Sequence, residues 1–120
     1  MKTIGIIGTR RKNEAQHYKK VEEEFLKHFE EDDIICSGLC PTGADMFALR
    51  LSNVYKTKTL WFPAEWNKYG RSAGFKRNTD IALKSDILIA LVSDDRAGGT
   101  EDTIRKFIKF GKKDNLIILI

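Results

Sequence analysis

The sequence predicts a three-layer α/β domain, a five-stranded parallel sheet in the order 3-2-1-4-5 with helices on both faces. Three observations carry that expectation. Short apolar segments alternate with helical segments along the whole chain, the pattern of a parallel sheet wrapped by helices. The segment 85–92 contains an unbroken apolar run rich in branched side chains, the mark of a strand buried on both faces. Every glycine turn except the one at Gly111 follows a strand, and a parallel sheet gathers those turns along one edge.

Each element has its own signal. Ile4, Ile6 and Ile7 make Lys2 to Gly8 the first strand, closed by Gly8-Thr9-Arg10. Asn13 stands where it would cap the first helix, with Gln16 three residues on as an approximate capping box. Tyr18, Val21, Phe25 and Phe29 recur at helical spacing, while His17 and His28 read as surface or boundary residues. Ile34 to Ser37 is the second strand. It empties into a turn from Gly38 to Gly43 with Pro41 inside. Thr42 and Asp45 are placed to cap a second helix that buries Ala44, Phe47, Ala48, Leu51 and Tyr55. Thr57 to Phe62 is the third strand, stopped by Pro63.

Residues 64–74 form the longest irregular stretch, with two aromatics, two glycines and charges of both signs. Such loops in compact domains are usually functional. A helix from Ala73 to Lys84 leads to the apolar strand at 85–92 and then to Gly98-Gly99-Thr100. Thr100 takes the N-cap position of a helix that presents Ile104, Phe107 and Ile108 on one side and runs to Gly111. Leu116 to Ile120 is the closing strand. Right-handed crossovers then give the order 3-2-1-4-5, a small Rossmann-like sheet.

Composition bounds the function. At 120 residues the chain supports one core, so residues 1–120 are read as a single domain. No apolar run is long enough to span a bilayer, and the first residues enter a strand directly, so no membrane is expected and a cytoplasmic setting is. The net charge is +4, but it is localised. Arg10-Arg11-Lys12 and Arg71 through Arg77 sit by glycine turns, whereas Glu22 to Glu24 and Glu30 to Asp33 form acidic runs. Confined basic clusters suit a small anion better than a nucleic acid, which is disfavoured as a partner. Cys36 and Cys40 read as structural thiols; no second cysteine pair completes a zinc site, so neither a metal nor a cofactor is expected.

The strand, glycine turn and helix start at 87–100 form an anion site in outline. First-turn N–H groups lack partners, the helix dipole is positive there, and glycine admits a phosphate close to the backbone. Gly5 and Gly8 are not followed by a third glycine at dinucleotide-fingerprint spacing, and Ser37-Gly38 closes the second strand where an acidic ribose ligand would stand. The Walker Gly-Lys-Ser/Thr is missing as well. A dehydrogenase and a P-loop NTPase are thus disfavoured.

Several motifs, taken together, resemble a known family. They are Gly8-Thr9-Arg10, Ser37-Gly38 with Thr42-Gly43-Ala44-Asp45, the block Pro63-Ala64-Glu65-Trp66 through Tyr69-Gly70-Arg71-Ser72-Ala73-Gly74 to Arg77-Asn78, and Gly99-Thr100. In order and spacing they resemble the YspA/cpYpsA-related branch of the SLOG superfamily, which also holds the LOG phosphoribohydrolases and DprA-type DNA-processing proteins. The resemblance implies a Rossmann-like fold that binds a nucleotide or nucleotide-derived ligand, for sensing or processing, often in conflict between viruses and hosts. It also implies self-association, as a dimer or tetramer. Against the LOG pattern, Arg77 matches the catalytic arginine, Asn78 replaces the lysine, and Thr103 occupies the position of the glutamate.

Candidate roles follow. Gly98, Gly99 and Thr100 would hold a phosphate, neutralised by Arg77 and Arg10, beside Gly8, Thr9, Arg71 and Asn78. Residues near Ser37, Gly38, Gly43 and Asp45 would meet a sugar, with Asp45 equally readable as a helix cap. Trp66 or Tyr69 would stack on a base or simply cover the loop. The alternative function is N-glycosidic hydrolysis or transfer on a nucleotide. Its oxocarbenium-like transition state needs a carboxylate, for which Glu65, Asp102 and Glu101 are the candidates in falling order. Single-stranded nucleic-acid binding is a third, weaker reading.

Overall fold

The structure is a computed structural model that describes residues 1–40 and 43–120. Its elements are β1 (Thr3–Gly8), α1 (Ala15–His28), β2 (Ile34–Ser37), α2 (Ala44–Tyr55), β3 (Lys58–Trp61), α3 (Trp66–Tyr69), α4 (Ala73–Lys84), β4 (Ile87–Leu91), α5 (Gly99–Lys109) and β5 (Leu116–Leu119). The five strands pair in parallel in the order β3-β2-β1-β4-β5. This is the expected α/β fold.

Alternation along each strand explains the three layers. Ile4 and Ile6 of β1, Ile35 of β2, and Ile89 and Leu91 of β4 face one way, where Val21 and Phe25 of α1 and Phe47 and Leu51 of α2 cover them. Ile7, Cys36, Leu88, Ala90 and Val92 face the other way, under Ile81 and Ala82 of α4 and Ile104 and Phe107 of α5. Residues Leu88 to Leu91 are fully buried because helices close both faces. Lys112 secures the second layer. Its ammonium donates to the carbonyls of Ala82, Leu83 and Ser85 at 3.1, 2.8 and 2.8 Å, occupying acceptors left over at the end of α4.

Several local expectations are corrected. The α1 cap is Glu14, which forms a capping box with His17, and Asn13 is released to accept a hydrogen bond from the Gly43 N–H at 2.9 Å. The caps of α2 and α5 are glycines, Gly43 and Gly98, with φ of 82° and 105°. Asp45 and Thr100 therefore lie inside their helices rather than capping them, because the chain enters each helix through a backbone shape that favours glycine. Pro41 and Thr42, read as turn and cap, lie outside the described residues. Residues 64–74 are not irregular throughout. They hold α3 and a 3-10 turn at Gly70–Ser72 that runs straight into α4. Ile108 is exposed rather than buried.

A buried ion pair ties the start of the sheet to the loop before β2. Asp33 accepts from the Lys2 ammonium at 2.6 Å, and from the backbone N–H groups of Lys2 and Glu30 at 2.9 and 2.8 Å. Burial alone would push this carboxyl's pKa up, but those donors outweigh it and hold the pKa below its ordinary value. A carboxyl depressed on folding stabilises the protein above its unfolded-state pKa and loses that contribution as pH falls through the folded-state value. Urea midpoints should therefore drop as pH falls below about 4. Asp33→Asn should cost about 2 kcal/mol at pH 7 and flatten that slope. An equally steep acid slope in the variant would show that other carboxylates govern it.

Candidate functional site

The turns at the C-terminal ends of β1, β2 and β4 meet over the sheet edge and enclose a cleft of about 290 Å³. Its rim is Gly8, Thr9 and Arg10 on one side, Gly98, Gly99 and Thr100 on another, and Arg77 and Asn78 of α4 on a third. Ile7, Arg11, Cys40, Asp45, Ile81, Ala97 and Thr103 complete its lining. The position reflects topology. β1 lies between β2 and β4, and the crossovers run in opposite directions from it, which opens a crevice at the strand ends.

Three arginines line the cleft, Arg10, Arg11 and Arg77, and of these Arg11 is ion-paired, to Asp95. Among the described residues neither Arg10 nor Arg77 has a carboxylate within 4.0 Å. Both guanidiniums instead point at the sulfur of Cys40, Arg10 from 3.7 Å and Arg77 from 3.5 Å. Arg77 is held more firmly. It donates to the Gly38 carbonyl at 3.2 Å and, through Nε, to the Asn78 Oδ1 at 3.1 Å. Its side chain lies so close along Gly38 that a Cβ there would meet the Arg77 Cδ at 2.9 Å. The bare backbone of Gly38 is what lets the arginine lie flat.

Asn78 ties this arginine to the start of α5. Its amide donates to the Gly99 carbonyl at 3.3 Å and to Asp102 Oδ2 at 3.2 Å. No side chain caps α5. The acids of its first turn are both engaged, Glu101 by Arg96 at 2.9 Å and Asp102 by Lys106 at 2.8 Å. The positive end of the helix is thus left facing the cleft. Across the rim, Arg11 and Asp95 join the first and fourth strand-end loops at 3.1 Å. Ser93, Arg11 and the Ala97 N–H draw the Asp95 carboxyl down to about 2, so this tie is intact at neutral pH.

Asp45 is buried and its oxygens have partners: Oδ1 lies 3.0 Å from the Ser37 hydroxyl, and Oδ2 accepts from the Cys40 N–H at 3.0 Å. The Ser37 hydroxyl has one proton for two acceptors, Asp45 Oδ1 and the Ile6 carbonyl at 2.6 Å. Ser37 and Asp45 thereby fix the turn that carries Cys40, Ser37 from beneath the cleft. Gly43 is buried beside them against the backbone of Thr9 and Arg10.

The structure thus brings Gly8, Thr9, Arg10, Asp45, Arg77, Asn78, Gly98, Gly99 and Thr100 together around one cleft. The loop candidates lie elsewhere. Glu65 and Tyr69 line a second cleft of about 260 Å³, which shares Arg77 with the first. Two ammonium groups lie over the Tyr69 ring, Lys68 at 5.1 Å and Lys76 at 4.8 Å, so the ring already has cation partners. Trp66 and Arg71 are exposed and line neither cleft. Asp102 also lies outside the lining of both, tied to Asn78 and Lys106.

Cys40 and Thr103 are cleft residues that the sequence reading did not select. Cys40 was legible only as a thiol in a glycine turn. Thr103 is buried and donates back to the Gly99 carbonyl at 3.3 Å. Burial pushes the Cys36 thiol up to about 12, which keeps it protonated and inert at neutral pH. Among the described residues no group of His, Cys, Asp and Glu is arranged to hold a metal, and no helix is long and apolar enough to cross a membrane. Comparison with family models, curated proteins and solved structures finds no match to this chain.

Proposed function

We propose that this protein binds the phosphate-bearing end of a nucleotide or nucleotide-derived molecule in the cleft at the sheet edge, as a sensor or sequestering protein. One observation carries the reading. Two guanidiniums without carboxylate partners converge on a cleft that also receives the uncapped start of α5. Uncompensated, partly ordered positive charge is costly to hold together unless an anion completes it, and a phosphate suits both the fork of an arginine and a helix N-terminus. The resemblance to the SLOG superfamily points the same way and suggests the nucleotide class.

Binding without turnover is favoured over N-glycosidic chemistry by the carboxylates. Asp45 is the one carboxylate among the residues lining this cleft, and it is buried, with one oxygen taking the Cys40 N–H and the other sharing the Ser37 hydroxyl with the Ile6 carbonyl. Thr103 stands where the LOG pattern has its glutamate. A carboxylate for hydrolysis would have to come from the neighbouring cleft, which Glu65 and Asp80 line.

The test is to incubate the protein with nucleoside monophosphates, NAD, ADP-ribose and its cyclic forms, and cyclic dinucleotides, then to analyse retained and filtered fractions by mass spectrometry. At least one nucleotide should be retained unchanged. Retention should be lost in Gly99→Asp, which puts a carboxylate at the start of α5. Release of free base would make the protein an enzyme, and no retention at all would remove the proposal.

A further inference from the structure

The second cleft differs in chemistry from the first. Trp61 and Phe62 supply apolar wall, and Glu65 and Asp80 supply two carboxylates. Among the described residues neither carboxylate has an ion-pair partner, although Lys76 and Arg77 line the same cleft. Asp80 is half-buried on α4 and Glu65 is exposed on the turn before α3. Neither Asp80 oxygen is a buried atom without a partner, so water holds this carboxylate and a ligand's donors can take the water's place.

Size links the two clefts. The first, at about 290 Å³, lies at the lower end of the range for sites that hold a whole small molecule, and the second is smaller still at about 260 Å³. Arg77 lines both, so one ligand that touches this guanidinium can reach into either side.

Resting on the phosphate-binding reading above, we infer that the second cleft is the base subsite of the same ligand, and that Glu65 and Asp80 select a nucleobase bearing an amine. Carboxylates accept hydrogen bonds and cannot donate them when ionised. An exocyclic amine, as on cytosine or adenine, satisfies them. A carbonyl at the same ring position, as on uracil or hypoxanthine, sets oxygen against oxygen. The apolar walls take the flat ring, and Arg77 marks the junction with the phosphate side.

Two pairs of monophosphates that differ by this one exchange, CMP against UMP and AMP against IMP, test the assignment by calorimetry, with ribose 5-phosphate as the reference for the first cleft. The amine-bearing member of at least one pair should bind about tenfold more tightly than its carbonyl partner. That preference should collapse in Glu65→Ala/Asp80→Ala, whose affinity ratio to ribose 5-phosphate should fall by a similar factor. A preference of less than twofold in both pairs overturns the assignment, as does a preference that survives the double variant. Ribose 5-phosphate binding as tightly as every monophosphate overturns the base subsite while leaving the phosphate site standing. Failure of every probe, ribose 5-phosphate included, overturns the base subsite, and the phosphate site falls with it if none of the wider nucleotide panel is retained.

Discussion

Arg77→Ala should weaken binding of any retained nucleotide about a hundredfold, the equivalent of roughly 2–3 kcal/mol, with little effect on the fold. The magnitude follows from how the side chain is held. Nε and one terminal nitrogen are engaged by Asn78 and Gly38, so the guanidinium is ordered before an anion arrives and little rotamer entropy is lost on contact. Arg10 is exposed, and among the described residues its one side-chain hydrogen bond goes to the Cys40 sulfur at 3.7 Å. Arg10→Ala should cost only about fivefold by the same logic. Gly38→Ala offers an independent check, because its methyl would occupy the space of the Arg77 Cδ and displace the side chain without removing its charge. It should reproduce most of the Arg77→Ala loss. Titration calorimetry decides: near-wild-type affinity in both Arg77→Ala and Gly38→Ala would place the phosphate elsewhere.

The features that hold Arg77 and frame its cleft differ widely in how visible they are in the sequence. The fold was legible because its signals are periodic and local. Branched apolar runs such as Ile87 to Val92 must become buried strands wherever they lie, and alternation with helices leaves few topologies once crossovers are right-handed. The cleft at the sheet edge was legible for a related reason, since a parallel sheet delivers its strand-end turns to one edge and Gly8, Arg10 and Gly98 to Thr100 lie in those turns.

What sequence could not supply was contact between side chains far apart along the chain. Asn13 carries every mark of a helix cap, yet its carbonyl serves Gly43, 30 residues on. Asp45 sits in the first turn of α2, where a carboxylate favours the helix, yet it binds the turn after β2. The caps themselves went to Gly43 and Gly98 because the entering chain turns through positive φ there, a demand set by tertiary approach. The division of the loop aromatics from the first cleft was also invisible. Trp66 and Tyr69 lie in a short helix whose orientation is set by packing on α4.

Gly43→Ala should be the most damaging small substitution in the chain. Its φ of 82° and ψ of −154° fall in a region populated almost only by glycine, where a side chain costs about 1–3 kcal/mol in backbone strain. Space compounds the strain. A Cβ at this position would collide with the Thr9 carbonyl and come within 3.0 Å of the Arg10 Cα, both backbone atoms that cannot rotate away. Gly98 separates the two effects. Its φ is 105° and its ψ is −167°, but nothing lies within 4 Å of a Cβ built there, so Gly98→Ala carries strain without collision. Gly98→Ala should cost about 1–2 kcal/mol and Gly43→Ala about 4 kcal/mol, a large share of the stability of a typical domain. In thermal unfolding that gap should lower the melting midpoint of Gly43→Ala roughly 10 °C below that of Gly98→Ala. Because the collision is with Thr9 and Arg10, whatever Gly43→Ala protein remains folded should also bind its nucleotide less tightly. Equal midpoints for the two variants would mean that the loop after β1 does not rest on the start of α2, and Arg10 would then lose its fixed place at the rim of the cleft.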